Sequence, residues 1–411
     1  MVGERFTPSR AESLGWLEPR GALKVNSKVT LLAATFFLVA TTLSNLANAR
    51  NSPSIFNKDT QKVFSVRNPQ TIIFTFQPDG GNPDWVREMT GLAGLNAITY
   101  GKNTYVAVGN DGTIWYSTNN ATWKEAAISG YASFNAVEYG GNGRFVAVAT
   151  EGTIWYSDDG ANWTESLSPE LEQYDPDFYD VVYAQGVFIA VGASSGPVPT
   201  IFSSIDGESW QVTLYGQYGL SGSFESVAYG NNSFVAVGTN GNIYVSNDGG
   251  QVWKNVSLPM NSNPYYDNSL HSVTYGNGIF VAVGDNAYIW YSNDGTTWKL
   301  ASGIQQSTMT LSSVTYGNGV FVAVVSDTGL DLVDKPIWYS PDGVNWQAGG
   351  GIQPNRCASN VYSVFDSVDF LGNFFIATSR NTWAFAHYPE YYSPDGMNWS
   401  SIQQTMGGCQ P

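Results

Sequence analysis

Apolar and polar positions alternate in short runs along most of this chain, and nearly every run stops at Gly, Asn, Asp or Ser. Alternation with a period of two predicts strands, and those stops predict tight turns. The clearest copy is Tyr275 to Trp298, YGNGIFVAVGDNAYIWYSNDGTTW. It reads as a hairpin turn, a strand, a short break, a second strand, a second turn and a Trp. Gly and Asn at the turns supply the positive φ that such hairpins need.

The unit recurs seven times, each copy with four strand-like pieces. The first piece ends at Tyr100, Tyr139, Tyr183, Tyr229, Tyr275, Tyr316 or Phe370. The second has a small residue at its centre: Ala107, Ala147, Ala190, Ala236, Ala282, Ala323 or Ala377. The third resembles Ile-Trp-Tyr-Ser, and the fourth opens at a Trp: 123, 163, 210, 253, 298, 346 or 399, on average 46 residues apart. Four strands in that length make one propeller blade. A lone four-stranded sheet cannot cover both its faces, whereas a ring of them can. The expected fold is therefore all-β, a seven-bladed β-propeller with four-stranded antiparallel blades, with eight blades as the alternative. The small central residues are expected to let blades approach near the axis, with Trp and Tyr filling the rim.

The chain divides accordingly. Residues 1–49 carry Arg5, Arg10, Arg20, Lys24 and Lys28, then the apolar run Val29 to Leu43 and the small residues Leu46-Ala47-Asn48-Ala49. That order is expected of a signal peptide cut after Ala49, with an uncleaved signal-anchor as the alternative. Residues 50–70 form an irregular polar lead. Residues 71–411 make the propeller, with an N-terminal hairpin at 71–90 and seven repeats at 95–405. The hairpin is expected to help at the seam of the ring. The expected location is secreted or periplasmic, with anchoring in the membrane as the alternative.

Composition narrows the function. The net charge is −16, and −18 without residues 1–49. Such a body repels phosphate backbones, which argues against nucleic-acid binding. No stable membrane insertion is expected after signal cleavage. With only two His, His271 and His387, a histidine-built metal site is not expected, and neither is a cofactor. No nucleophile elbow supports Ser-His-Asp catalysis. Cys357 and Cys409 flank the last repeat and form either a disulfide or two free thiols.

The turns between third and fourth strands read Ser157-Asp-Asp-Gly, Ser204-Ile-Asp-Gly, Ser246-Asn-Asp-Gly, Ser292-Asn-Asp-Gly, Ser340-Pro-Asp-Gly and Ser393-Pro-Asp-Gly, with Ser117-Thr-Asn-Asn in the first repeat. Each is followed by its Trp. These turns resemble the Asp-box (BNR-type) repeat, S-x-D-x-G-x-x-W, over about residues 95–405. The resemblance implies a β-propeller of the kind found in sialidases and photosystem II assembly factors. Structural roles are expected for Asn119, Asp159, Asp206, Asp248, Asp294, Asp342 and Asp395, as acceptors of backbone N–H groups in their own turns. Sialidases hold a substrate carboxylate with three arginines and begin with R-I-P. Here no R-I-P occurs and only six Arg follow residue 49. Photosystem II assembly factors carry an arginine patch that this Arg-poor chain lacks.

In a four-stranded meander, the first and third turns share one face of the disc, and the second loops and the links between blades share the other. The length variation falls on the latter, where binding usually sits. The ligand-binding candidates are Arg380, Trp383, His387, Tyr388, Tyr265, Tyr266, Tyr174, Asp331 and Asp334. Aromatic platforms with polar edges suit sugars or peptides. The long loops are expected to include Pro169 to Asp180. The leading expectation is an exported, non-enzymatic propeller that binds a polysaccharide or an envelope or extracellular protein. The alternatives are a glycosidase using loop carboxylates and a structural component of a cell-envelope assembly.

Overall fold

The computed structural model describes residues 74–75, 86–87 and 95–402, except 110–111, 120–122, 127, 129–131, 195–196, 217–220, 257, 259–267, 305–308, 327–334, 351–364, 366, 372–373 and 379–389. Seven four-stranded antiparallel sheets form from consecutive strands, spanning residues 95–125, 134–165, 176–215, 224–256, 270–300, 310–348 and 367–402. We number these blades 1 to 7. Strand order within each blade follows the chain, so no blade borrows a strand from another. The chain is a seven-bladed β-propeller. The strands Phe74–Thr75 and Val86–Arg87 pair only with each other, as a separate two-stranded sheet rather than an eighth blade.

First strands of consecutive blades touch one another from blade 1 to blade 7, which makes them the inner strands around the axis. Fourth strands are short and lie outside. Alternation along the second strand assigns its two faces. In blade 2, Phe145 and Ala147 look back to Val106 and Val108 of blade 1, while Val146 and Val148 look forward to Phe188 and Ala190 of blade 3. Six hydrophobic clusters of this kind straddle the interfaces from blades 1–2 through 6–7. Each fully buried Val or Phe in them contributes about 1.5–3 kcal/mol.

The central alanines have a more local reason than the crowding of the axis. Each is the cross-strand partner of a large ring on the third strand: Ala147 with Trp155, Ala190 with Phe202, Ala236 with Tyr244, Ala282 with Trp290. The same pairing joins Ala107 to Trp115, Ala323 to Trp338 and Ala377 to Tyr391. Small beside large keeps the sheet face level enough for the neighbouring blade to close on it.

Among the described residues, no helix is long and apolar enough to cross a membrane.

Candidate binding face and axial mouth

The two ends of the disc are built differently. At one end lie the first and third turns, and their polar groups are committed to one another. Asp294 Oδ1 accepts from Thr296 N at 2.8 Å, Thr297 N at 2.7 Å and Ser292 Oγ at 3.0 Å. Gly295, at φ +74°, turns the chain so that Trp298 Nε1 donates to its carbonyl at 2.8 Å. Asp342 repeats this with Val344 N and Asn345 N, both at 2.8 Å, and Asn345 Nδ2 donates to its other oxygen. Asp159, Asp206, Asp248 and Asp395 likewise accept backbone N–H groups of their own turns. In blade 1, Asn119 Oδ1 accepts from Ser117 Oγ at 3.1 Å.

Partial burial pushes the Asp342 and Asp395 carboxyls up, but the N–H donors outweigh it and hold both down at about 2. Asp159, Asp206 and Asp294 are lowered by the same contest, and Asp248 chiefly by the Val252 N–H.

Side chains of several first turns then tie one blade to the next. Lys102 Nζ reaches the Asp158 carbonyl at 3.0 Å, Asn231 reaches that of Asn293 and Asn318 that of Pro394, both at 3.2 Å. Arg144 bonds Asp158 at 2.9 Å and Glu208 at 3.1 Å, with its guanidinium 4.6 Å from the Tyr156 ring centroid. It clamps blade 2 to blade 3.

At the loop-rich end the inner strands of blades 1 to 6 each carry a β-bulge at the same register. The shifts span 95/97, 134/136, 178/180, 224/226, 270/272 and 311/313. A bulge re-aims the extra side chain. The extra residues are Asn96, Asn135, Tyr179, Glu225, His271 and Ser312, all half-buried and at one register of the inner strands. Asn96 and Asn135 bond a carbonyl of the next blade, Phe134 at 2.7 Å and Phe178 at 2.6 Å, and Ser312 bonds that of Phe365, just before blade 7, at 2.8 Å.

Blades 3 to 5 depart from that pattern. Burial pushes the Tyr179 phenol up, and the Asp177 and Glu225 carboxylates add to it. Glu225 accepts from Ser223 Oγ. His271 Nε2 meets Asp285 Oδ1 at 3.0 Å, and Thr310 Oγ1 donates to the same oxygen at 2.9 Å. Burial raises Asp285, but these two partners win and lower it. One residue past the bulge, the fully buried Asp180 bridges blades 3 and 4. Its Oδ2 accepts from Ser226 Oγ at 3.1 Å and Val227 N at 3.0 Å, and Val181 N donates to Oδ1.

Of the ligand candidates read from sequence, Tyr174 is described. Its ring packs 4.6 Å from Tyr215 and 6.2 Å from Phe202, on the edge of the blade 2–3 cluster. Pro169 to Asp180 is not a long loop. It folds as helix α1 (Pro169–Tyr174) and then enters the inner strand Pro176–Ala184. Ser168 at the cap, Pro in the first turn and Glu170 and Glu172 beside it are start signals for such a helix. Arg380, Trp383, His387, Tyr388, Tyr265, Tyr266, Asp331, Asp334, Cys357 and Cys409 lie outside the described residues.

The bulge residues were missed in the sequence, although a signal existed. Phe134 and Val137, Phe178 and Val181, Phe224 and Val227, Leu270 and Val273, and Leu311 and Val314 are all buried yet three apart. A regular strand buries residues two or four apart. A recurrent spacing of three marks an inserted residue.

These features define a propeller with one self-bonded end and one end that displays bulged polar side chains and long loops. The family model described as the DUF6242 beta propeller domain matches residues 38–290, more than half of the chain, and the chain belongs to that family. Among solved structures, the computationally designed Ika8 protein is 13% identical, with 81% of this chain and 94% of that chain covered and a TM-score of 0.55. A structure of YCF48 bound to D1 peptide is 14% identical, with 80% and 94% covered and a TM-score of 0.50. YCF48 from Cyanidioschyzon merolae is 14% identical, with 69% and 92% covered and a TM-score of 0.48. At these identities the likeness is one of fold. No curated protein matches the chain.

Proposed function

We propose that this is an exported, non-enzymatic Asp-box propeller that holds a protein or polysaccharide partner on its loop-rich end, centred on the axial mouth. The difference between the two ends carries this reading. The turn carboxylates at one end are occupied by their own backbone. At the other, Tyr179, Glu225 and His271 stand half-exposed at the bulges of the inner strands of blades 3 to 5. A rigid scaffold with variable loops at one end is a common arrangement for recognition. The export reading rests on the basic lead and apolar run of residues 1–49.

The test uses the purified chain on a glycan array and a peptide array, with reducing-sugar release measured alongside. Tyr179→Ala and Glu225→Gln should weaken the bound signal at least about tenfold, roughly 1.4 kcal/mol, with the unfolding midpoint unchanged. Equal binding by both variants would remove the axial mouth from the site. Release of reducing sugar would make the protein a glycosidase instead.

A further inference from the structure

We infer that Asn277, in the first turn of blade 5, is a site of spontaneous deamidation, and that the isoaspartate it yields loosens blade 5 from blade 6. The chain has four Asn-Gly pairs, beginning at Asn142, Asn240, Asn277 and Asn318, and all four asparagines are exposed. Glycine favours the reaction because it sets no side chain beside the attacking nitrogen. The Gly278 nitrogen bonds to Asn277 Cγ, the Cγ–Nδ2 bond breaks, and ammonia leaves with the proton that the Gly278 nitrogen gives up. Water then opens the succinimide at either carbonyl, leaving aspartate or isoaspartate.

The fold guards three of the four pairs. Asn142 Oδ1 accepts from Arg144 N at 3.1 Å, its Nδ2 donates to the Ile205 carbonyl at 3.5 Å, and the Gly143 N–H is occupied by the Gly140 carbonyl at 2.9 Å. Asn240 Nδ2 donates to the Ser221 carbonyl at 3.0 Å and Asn318 Nδ2 to the Pro394 carbonyl at 3.2 Å. Among the described residues, neither the Asn277 side chain nor the Gly278 N–H has a hydrogen-bond partner. The reason is a missing tether. Lys102, Asn142, Asn231 and Asn318 each donate to the carbonyl of the second residue in the next blade's third turn, Asp158, Ile205, Asn293 and Pro394. Asn277 makes no such bond to Pro341 of blade 6.

Asn318 supplies an internal control. Its turn reads Tyr316-Gly-Asn-Gly-Val-Phe321 against Tyr275-Gly-Asn-Gly-Ile-Phe280. The two asparagines have φ +52° and +48°, and a Cβ on Gly319 or Gly278 would meet nothing within 4 Å. The tether is what separates them. The Asp-Gly pairs of the third turns offer the same ring closure, but they too are guarded. Gly160, Gly343 and Gly396 donate their N–H groups to a Ser Oγ at 2.8 Å and Gly207 does so at 2.7 Å. Asp342 and Asp395, held at about 2, stay ionised at neutral pH, which makes their carboxyl carbons poor electrophiles.

The consequence follows from the length of the turn. Isoaspartate carries the chain through Cβ and Cγ, so the turn that pairs Gly276 with Ile279 gains a backbone carbon. In hairpins the register depends on that length. Gly276 is the seat of the Tyr316 ring of blade 6, and Ile279 packs on the cluster between blades 5 and 6. A longer turn displaces both. Plain aspartate does not, because it tolerates the same left-handed backbone.

Ageing of the full chain in mildly alkaline buffer, followed by peptide mass spectrometry, tests the assignment. Asn277 should lose its amide at least about fivefold faster than Asn318, the factor that one hydrogen bond of about 1 kcal/mol imposes on a rate. In denaturing urea the two should react alike, since their sequences match. Equal rates in the folded chain, or the same difference in urea, would overturn the inference. Urea unfolding of the aged chain tests the consequence. Its midpoint should fall as isoaspartate accumulates. Asn277→Gln should hold it constant, because glutamine must close a larger ring and Gln185 already occupies such a turn at φ +52°. A midpoint that falls equally in that variant would place the ageing elsewhere and remove the link to blade 6.

Discussion

Tyr316 of blade 6 sits on Gly276 of blade 5, and a Cβ added to that glycine would lie 2.1 Å from the ring's Cγ. The same seat joins Gly230 to Tyr275 and Gly317 to Phe370. The Tyr-Gly dipeptide is thus read across an interface: the Gly receives one ring while its own Tyr is passed to the blade before. Gly276→Ala should cost about 1–3 kcal/mol through overpacking. Gly278, two residues on, has φ +82° and nothing within 4 Å of a Cβ. Its change to Asn, which tolerates that conformation, should cost far less. Urea midpoints of the two variants separate the effects; equal losses would mean turn conformation, not the seat, governs Gly276.

The turn carboxylates give the molecule an acid limit. Asp342 and Asp395 are held at about 2, against 3.8 for an ordinary aspartate. A folded value below the unfolded one means the contribution is complete above about pH 4. It is lost as pH falls from there toward about 2. Asp342 is exposed and Asp395 half-exposed, so solvent screening keeps each contribution to no more than about 1 kcal/mol. Replacing both by Asn should lower stability at pH 7 and flatten its decline below pH 4. Thermal unfolding between pH 2 and 7 measures this. An unchanged slope would mean that other carboxylates set the acid limit.

How much of this was legible follows from where the information resides. Blade number, strand order and the turns were readable because each unit must bury the same two faces, which forces the same alternation seven times. The Ala–aromatic pairs were visible as letters, but their register needs two strands side by side, so Ala282 read as axial packing rather than as room for Trp290. The bulges shift phase by one residue, which alternation counting smooths over. Helix α1 was hidden because Pro169 and Asp175 resemble loop punctuation until they are seen as its start and its stop, the latter at φ +43°. The axial cluster escaped because Tyr179, Glu225 and His271 occupy one register in three different repeats and share no letter.

Asp180 is fully buried on the inner strand of blade 3, at the register where blades 4 to 6 carry Ser226, Ser272 and Ser313. All these side chains face the next blade. Ser226 Oγ accepts Val273 N at 3.4 Å and Ser272 Oγ accepts Val314 N at 3.3 Å, so the register satisfies the inner-edge N–H of the neighbour. Asp180 does the same for Val227 N at 3.0 Å and holds Ser226 Oγ as well. Asp180→Ala leaves buried donors on blade 4 without their acceptor, at a cost of about 1–3 kcal/mol each. Asp180→Ser restores the group used in blades 4 to 6 and should recover most of the loss. Urea unfolding decides the matter. If Ala and Ser variants are equally destabilised, the carboxylate has a role that the Val227 bridge does not describe. If neither is destabilised, the inner-edge bonds are dispensable, and the hydrophobic clusters alone hold blade 3 to blade 4.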